Sequence, residues 1–263
     1  MQLTISQNIR VFLALLRRTF FVVIPHLKNA LLDGLFLTSI YVLLFGYLYP
    51  QMGMSPALVG PVFIGSILTL LCGLSYSLAV RIVLDLKYAR FIDYLFTIPT
   101  TPFWIFLWYI CSFFIELVLA TAPLLTFGLF LLRTKIDLSM AHIPSFIAVY
   151  AITMLFCSIT FLAFGIRYEY DWFFDNIWAR RLTPCLIASC SMFPWYRVNA
   201  FSAIIGRLFL LNPVTYIAEG LRGSLFNPAL SLSTPLCLGM LFVFNGLAVL
   251  FLINSIKKTF NMV

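Results

Sequence analysis

The hydrophobic pattern of this chain consists of long apolar runs separated by short polar stretches. A helix needs about 20 consecutive, mostly apolar residues to cross a bilayer, and several runs meet that length. The pattern therefore predicts an all-α polytopic membrane protein in which residues 1–263 form one transmembrane domain. The six predicted transmembrane helices are 31–49, 57–80, 103–132, 143–166, 182–196 and 234–256.

Residues 1–28 have an amphipathic pattern instead. Arginines interrupt the apolar sequence, while one face repeats apolar residues at helical spacing. This pattern is typical of a helix that lies in the membrane interface with its apolar side toward the lipid. The apolar face consists of Ile5, Ile9, Phe12, Leu16 and Phe20.

A charged stretch separates the second and third predicted spans. Residues 82–96 within it are predicted to form one helix at the membrane surface, where a soluble partner would reach it. Helical spacing predicts the ion pairs Arg81–Asp85 and Arg90–Asp93. A polar loop joining two spans is the alternative. The apolar stripe of the predicted helix is Leu84, Tyr88, Phe91 and Leu95.

The predicted fifth span, 182–196, is too short for a straight crossing. Charges at Arg207, Glu219 and Arg222 interrupt the apolar sequence that follows. Broken backbone at membrane depth is tolerated only where protein or water surrounds it. We therefore expect a broken fifth span and an outer re-entrant segment over residues 197–225.

Within that segment, Asn212 followed by Pro213 is the pattern of a helix start, with a capping residue and a first-turn proline. The helix is predicted to run to about Leu225. Glu219 and Arg222 then lie one turn apart. They are expected either to hold the segment closed over a transport path or to form a static pair at the outer surface.

Composition excludes a water-soluble fold, because 62% of the residues are hydrophobic and only 10% are charged, against about a quarter charged in soluble domains. The basic residues behind the net charge of +8 are scattered over short loops, which argues against nucleic-acid binding. They predict orientation by the positive-inside rule, with both termini cytoplasmic. The basic residues assigned to the cytoplasmic side are Arg10, Arg17, Arg18, Lys28, Arg81, Lys87, Arg90, Arg167, Arg180, Arg181, Lys257 and Lys258.

No catalytic or metal-binding pattern stands out. The six cysteines lack CxxC spacing and are interpreted as small hydrophobic residues, and His26 and His142 lie far apart in the sequence. Glu116 is the only charge in the third span, where an ionised carboxylate facing lipid costs about 2.5 kcal/mol or more. It is expected either to face a path or partner subunit, or to bond a neighbouring helix as a protonated carboxyl.

The order of these features resembles the membrane-spanning subunit of type-2 ABC exporters, bacterial permeases that move polysaccharides, glycolipids or drugs. The resemblance covers nearly the whole chain. The sequence has no GxxxxGK[ST] phosphate loop, the motif with which nucleotide-hydrolysing subunits hold phosphate. The most specific motifs are Asn212-Pro213-Val214-Thr215-Tyr216 with Glu219 and Arg222, and Asp93-Tyr94-Leu95 with Pro99.

The resemblance implies a transport subunit of the inner (plasma) membrane that is not itself an enzyme. Two copies, or this chain and a paralogue, would form a path for an amphipathic, lipid-linked, glycan or drug-like substrate. A separate ATPase subunit would hold ATP and Mg and dock on residues 82–96, so no cofactor is expected in this chain. The implied ATPase-contact residues are Asp85, Arg90, Asp93 and Tyr94. The implied path or gate residues are Glu116, Tyr216, Glu219 and Arg222.

Two other functions stay open on the sequence. A secondary transporter or channel would work without ATP, and such transporters typically have internal repeats and several intramembrane ionisable groups. Here only Glu116 is a clear case, and no repeat is evident. A non-transporting assembly or scaffold protein of the membrane is the third possibility.

Overall fold

The computed structural model describes residues 4–55, 58–226 and 231–260. It is 85% helical, and no β-strand occurs within these ranges. This confirms the all-α class and indicates a multi-pass membrane protein, because five stretches are long and apolar enough to cross a membrane. A bent pair of helices makes six if it counts as one span. The five stretches are Leu27–Gln51, Val59–Ala89, Pro102–Leu131, Ile143–Arg167 and Thr234–Phe260.

The α-helices are numbered in chain order. They are α1 (Ile5–Tyr41), α2 (Tyr49–Gln51), α3 (Val59–Leu84), α4 (Phe91–Thr97), α5 (Pro102–Leu131), α6 (Ile143–Arg167), α7 (Tyr170–Ile177), α8 (Thr183–Ile187), α9 (Trp195–Phe201), α10 (Ala203–Phe209), α11 (Pro213–Leu225) and α12 (Thr234–Phe260). In the described ranges, π-helical segments Val42–Leu48, Asp85–Ala89 and Trp178–Leu182 extend α1, α3 and α7.

Helix α6 lies at the centre of the bundle and packs against α3, α5, α11 and α12. Helix α12 runs parallel to it: the Asn245 side-chain amide donates to the Ile152 carbonyl at 3.4 Å, and the Thr259 hydroxyl donates to the Ile166 carbonyl at 3.0 Å. These bonds recur along the pair, so α6 and α12 are in register over most of their length.

Helix α3 runs antiparallel to α5, because Phe63 lies against Gly128 near one end and Arg81 pairs with Glu116 nearer the other. Gly165, near the end of α6, lies against α3 close to its own end. We call the end of the bundle where α3, α6 and α12 finish and α5 begins the α4 end. The opposite end, where α3 begins, is the α9 end.

Helix α1 is continuous over Ile5–Tyr41, so the predicted break between an interfacial helix and a first span is wrong. It packs along α5. Near the α4 end the Thr100 hydroxyl donates to the Asn8 side-chain oxygen at 2.8 Å, and farther up Gly34 lies against Leu124. The structure does not confirm a separate interfacial helix.

The face of α1 that packs against the bundle carries polar residues, while part of the apolar face that was predicted to meet lipid is exposed. Ile5 is 76% exposed, whereas Asn8 and Thr19 are both 5% exposed. Thr19 shares a 2.9 Å hydrogen bond with Ser112 and accepts another from the Trp108 indole at 2.9 Å. The periodicity of apolar residues does not predict that Asn8 and Thr19 are buried. Their burial depends on hydrogen-bond partners on a neighbouring helix.

The predicted single helix over residues 82–96 is two helices. After the π-helical segment Asp85–Ala89, Arg90 adopts a left-handed conformation with a φ of 49°, and α4 begins at Phe91. A π-helical turn changes the angular spacing of side chains, and a left-handed residue ends a helix. The sequence pattern assumed regular spacing throughout and therefore missed the break.

The predicted surface stripe and ion pairs of that region are consequently not formed. Tyr88, placed on the apolar stripe, is 65% exposed. Among the described residues, no ion pair joins Arg81 to Asp85 or Arg90 to Asp93. The left-handed turn at Arg90 removes the helical geometry of the Arg90–Asp93 pair. Arg81 and Asp85 keep helical spacing, but the Arg81 guanidinium binds Glu116 and the Asp85 carboxylate accepts the Phe91 and Ile92 N–H groups.

Residues 170–187 rise along α3 as a series of short helical pieces, which we call the α7–α8 segment. At its start the rings of Tyr170 and Tyr88 are 5.9 Å apart, and farther up Trp178 lies 5.2 Å from Tyr76. Near its end, Cys185 and Leu186 line a cavity together with Leu68 and Leu71 of α3. The segment therefore runs antiparallel to α3 over most of that helix.

The predicted fifth span, 182–196, is therefore wrong. Within it the chain ends α8, turns, and begins α9. The rise along α3 uses residues assigned from the sequence to a cytoplasmic loop. Phe173 and Ile177 are fully buried, while Asp175 and Arg180 are exposed. A search for long uncharged runs misses such a two-faced segment.

A sharp bend lies within the segment 197–225 that was expected to be re-entrant, because α10 and α11 are bent by 96° relative to each other. Whether the segment is re-entrant stays a prediction. Helix α11 begins at Pro213 and ends at Leu225, as predicted. The Asn212 side-chain oxygen accepts the Val214 N–H at 3.0 Å. Asn212 therefore caps the helix, as its position before a proline indicated.

Candidate functional site

A groove of about 770 Å³ lies at the α4 end, between the end of α3, α4, the turn from α6 to α7, and the end of α12. We call it the α4 groove. Both signs of charge line it, which suits a hydrated protein partner better than lipid, because charged side chains are costly in hydrocarbon. Its charged residues are Lys87, Arg90, Asp93, Arg167, Glu169, Asp171 and Lys258.

Lys87 joins two walls of the groove. Its ammonium lies 3.7 Å from an Asp171 carboxylate oxygen and 3.7 Å from the centre of the Tyr170 ring. Both charged side chains are well exposed, so the ion pair contributes at most about 1 kcal/mol. The contact with the ring adds a cation–π interaction, and together they hold the start of α7 beside the π-helical end of α3.

Of the residues predicted to contact an ATPase, Arg90, Asp93 and Tyr94 are exposed at the α4 end, with Tyr94 at 62%. Arg90 and Asp93 line the groove. The structure thus places these three on the exposed surface of the α4 end. Contact with an ATPase stays a prediction.

Asp85, the fourth of these residues, has a structural role. Its two carboxylate oxygens accept the N–H groups of Phe91 and Ile92, each at 2.9 Å. The first N–H groups of a helix lack partners within the helix, and an acidic side chain there also complements the helix dipole. Asp85 therefore fixes α4 to the end of α3 across the turn at Arg90.

The sequence did not place Glu169, Asp171 or Lys258 at this site. These residues lie far from Arg90 in the chain and meet it only because α3, α6 and α12 end together. The sequence indicated only that the predicted spans before these residues end on the same side of the membrane. This predicts which side the three residues lie on, but not that they line one groove with Arg90.

Glu219 occupies the other notable site, near the α9 end. It has no exposed surface, and its carboxylate accepts three hydrogen bonds. One oxygen accepts the Arg222 guanidinium at 2.8 Å and the Trp195 N–H at 2.9 Å, and the other accepts the Leu232 N–H at 3.1 Å. The carboxylate therefore links α11 to the starts of α9 and α12.

Arg222 extends this network to α3. Its side chain is 3% exposed, and it donates to the carbonyls of Ser191, Phe193 at 3.1 Å and Pro61 at 3.3 Å. Its Nε has no partner among the described atoms. We call Glu219, Arg222 and these acceptors the α11 clasp.

Of the two roles predicted for the Glu219–Arg222 pair, the contacts favour a static one, because they join four chain segments inside the protein. The pair is not at the outer surface, as the static alternative assumed, but buried. Tyr216, another predicted gate residue, is 5% exposed and faces Phe244 of α12, with ring centroids 6.0 Å apart. A gating role for these residues stays a prediction.

A cavity of about 280 Å³ opens beside the clasp and is lined by Lys135, Asp137, Arg197 and Arg222. The Ser139 N–H donates to Asp137 at 2.9 Å. This bond, and a second from the Ser139 hydroxyl, lower the pKa of Asp137. The carboxylate at the rim of this cavity is therefore stabilised in its ionised form.

Glu116 pairs with Arg81 of α3, at 2.6 Å between Oε2 and Nη2. The Arg81 side chain is 45% exposed and that of Glu116 is 21% exposed. Glu116 therefore bonds a neighbouring helix, as one of its two predicted roles required, through an ion pair with Arg81. A role at a path or partner subunit stays a prediction. The sequence paired Arg81 with Asp85 because only near neighbours in the chain are visible to helical spacing.

Among the described residues, no group of three histidine, cysteine, aspartate or glutamate side chains has the geometry to hold a metal ion. The six cysteines are free. His142 caps α6 by accepting the Ser145 N–H at 3.3 Å, while the His26 side chain lies outside the described residues.

Comparison with protein-family models, curated proteins and solved structures found no match.

Proposed function

We propose that this chain is the permease subunit of an ATP-powered ABC exporter. Two copies form the translocation path, and a separate ATPase subunit binds the α4 groove from the cytoplasm. ATP and Mg are bound on that subunit, so this chain is a transport subunit and not an enzyme. Both termini are cytoplasmic, and the substrate is an amphipathic, lipid-linked, glycan or drug-like molecule.

The observation that carries the proposal is the α4 groove. Three long helices finish there and α5 begins there, so one soluble partner reaches the ends of most of the bundle. The exposed Arg90, Asp93 and Tyr94 project from the short helix at its edge. A partner with complementary charges on a cleft would bind such a surface with a defined orientation.

A displacement of α4 would also displace the helices of the bundle, because α4 is bonded to several of them. Asp85 fixes its first turn to α3. The Arg18 guanidinium of α1 lies 4.3 Å from the centre of the Phe91 ring, and Leu95 is buried. At the far end the α11 clasp holds α3, α9 and α11 together. This arrangement supports alternating access in which a partner at one end moves helices that are joined at the other.

The test is whether the reading frame next to this chain encodes a protein with the GxxxxGK[ST] motif, and whether that ATPase copurifies with the tagged chain. Reversing two exposed charges, Arg90→Glu with Asp93→Lys, should release the ATPase and abolish its transport-coupled ATP hydrolysis. Asp137→Lys, at an exposed residue of the opposite end, is the matched control and should retain the complex. Full retention of complex and turnover by the reversed variant would contradict the proposal.

An ATP-independent transporter or channel is the second candidate, favoured by the ionisable pair Arg81–Glu116 inside the bundle. Reconstitution separates the two: transport by the purified chain without an ATPase or nucleotide would establish the second candidate. Transport that appears only with both the ATPase and ATP would establish the first. No transport under either condition, with an intact membrane assembly, would favour the scaffold function.

A further inference from the structure

Four exposed charges lie at the depth of the apolar bundle without an ion-pair partner. They are Lys28 and Asp33 on α1, and Asp175 and Arg180 on the α7–α8 segment. None takes part in the ion pairs that join described residues. Charged side chains that face lipid at such depth are costly, and they normally face protein or water instead. Arg180 donates to the Asn176 side-chain oxygen at 2.8 Å within its own segment, so the other three are the charges that require a partner outside the single chain.

Lys28 and Asp175 lie at the same height in the bundle. Leu27 and Ala30, on either side of Lys28 in sequence, line one small cavity with Leu74, Ser77 and Leu78 of α3. Phe173 and Trp178, on either side of Asp175, have their ring centres 5.3 and 5.2 Å from that of Tyr76, also on α3. Both charges are thus level with the same turn of α3.

The second pair follows from the first. Asp33 is five residues after Lys28, and α1 rises from the α4 end, where Asn8 meets Thr100. Arg180 is five residues after Asp175, and the α7–α8 segment also rises from that end. Five residues of α-helix span about 7.5 Å on α1, and the π-helical turn that begins at Trp178 makes the rise from Asp175 to Arg180 shorter. On both elements the second charge therefore lies farther from the α4 end than the first.

The two surfaces are complementary in sign. Read upward from the α4 end, α1 presents a cation and then an anion, whereas the α7–α8 segment presents an anion and then a cation. Exposed apolar side chains lie beside these charges on both elements. On α1 these are Leu32 and Phe36, exposed by 56% and 68%; on the segment they are Phe174 and Trp178, each exposed by 38%.

We infer that α1 of one copy packs against the α7–α8 segment of a second copy of this chain, pairing Lys28 with Asp175 and Asp33 with Arg180. A two-fold axis along the bundle forms the contact twice, since a symmetric pair presents the same patches in both directions. The inference rests on the pairing of two copies in the proposed function. It does not depend on the ATPase or on ATP.

The first test is cysteine crosslinking between two differently tagged copies in which the native cysteines have been replaced. One copy carries Lys28→Cys and the other Asp175→Cys, so a crosslink between the tags is necessarily intermolecular. Oxidation in membranes should give a crosslinked dimer. Leu250→Cys, on the exposed face of α12 at 65% exposure, replaces Lys28→Cys in the control pair and should give none.

The second test is charge reversal in the native cysteine background, which does not depend on the cysteine-free chain folding. Lys28→Asp places two acids opposite each other and should weaken the dimer by roughly tenfold or more. Adding Asp175→Lys to the same chain restores opposite signs at both contacts and should recover the dimer. The lack of recovery by the double variant would overturn the assignment.

The outcomes separate this inference from the proposed function. A wild-type dimer that neither crosslinks between positions 28 and 175 nor responds to charge reversal would overturn this interface and leave the pairing of two copies standing. A wild-type chain that is monomeric in membranes would overturn both. Crosslinking together with charge-swap recovery would establish the interface even if no ATPase binds.

Discussion

Arg222 donates a hydrogen bond to Glu219 at 2.8 Å, and neither side chain has more than 3% of its surface exposed. Both residues belong to α11, one turn apart. The acceptors and donors that complete their hydrogen bonding belong to α3, to the turn after α8, and to the starts of α9 and α12. The pair therefore determines how the bent C-terminal region sits on the bundle.

Removing one member of this pair should destabilise the protein strongly. Glu219→Gln leaves the Arg222 guanidinium buried without its anion, and we expect a loss of about 3 to 5 kcal/mol, as for other broken buried pairs. The double variant Glu219→Gln with Arg222→Leu removes the orphaned charge and should lose less than the single change. Thermal unfolding in detergent measures both. Glu169→Gln, at an exposed carboxylate, is the control, and an equal loss there would contradict the prediction.

The ion pair between Arg81 and Glu116 should contribute much less. Its side chains are 45% and 21% exposed, so the pair is far less buried than Glu219 and Arg222. A double-mutant cycle with Arg81→Gln and Glu116→Gln should give a coupling of about 0.5 to 1 kcal/mol, as for other polar contacts between membrane helices. Export by Glu116→Gln should be measured in parallel. Unchanged export would leave the residue with a structural role only, while loss of export with normal folding would place it at the path.

Asp85 should protect the first turn of α4. Asp85→Ala removes the acceptors of the Phe91 and Ile92 N–H groups, and loss of such a cap costs about 1 kcal/mol, up to about 2. Amide hydrogen exchange at these two residues should therefore speed up. Asp85→Asn, which keeps one side-chain acceptor, should have a smaller effect, and Asp93→Ala should have none there. Unchanged exchange in Asp85→Ala would show that the cap is dispensable.

Gly65 permits close contact between α3 and the turn after α8. A Cβ atom at this position would collide with the Ser191 carbonyl, which is also an acceptor for Arg222. Because a backbone group is displaced, Gly65→Ala should cost about 1 to 3 kcal/mol. Gly73→Ala on the same helix meets no atom within 4 Å. It should be neutral or stabilise the helix by up to about 1 kcal/mol; equal behaviour of the two variants in thermal unfolding would refute the contact.

Elements whose signals are local could be predicted from the amino-acid sequence. Long apolar runs predicted α5, α6 and α12, since the length of an apolar run decides whether a helix crosses a bilayer. The Asn212-Pro213 pair predicted the start of α11, because capping and proline geometry act within a few residues. The run of only 15 uncharged residues from 182 to 196 predicted a broken helix there. It did not predict that residues 170–187 run along α3.

The pairing of polar groups between helices could not be predicted and depends on how the helices pack. Arg81 pairs with Glu116 and not with Asp85, because helix packing brings together residues 35 positions apart in the chain. Thr19 is buried at 5% exposure, because its hydroxyl replaces the hydrogen bonds to water with bonds to Ser112 and Trp108 and so loses little free energy on burial. Helical periodicity reports only the neighbours within one helix. Pairing across helices depends on packing that no local pattern contains, and this is why the contacts of Glu219, Asp85 and Lys87 required the fold.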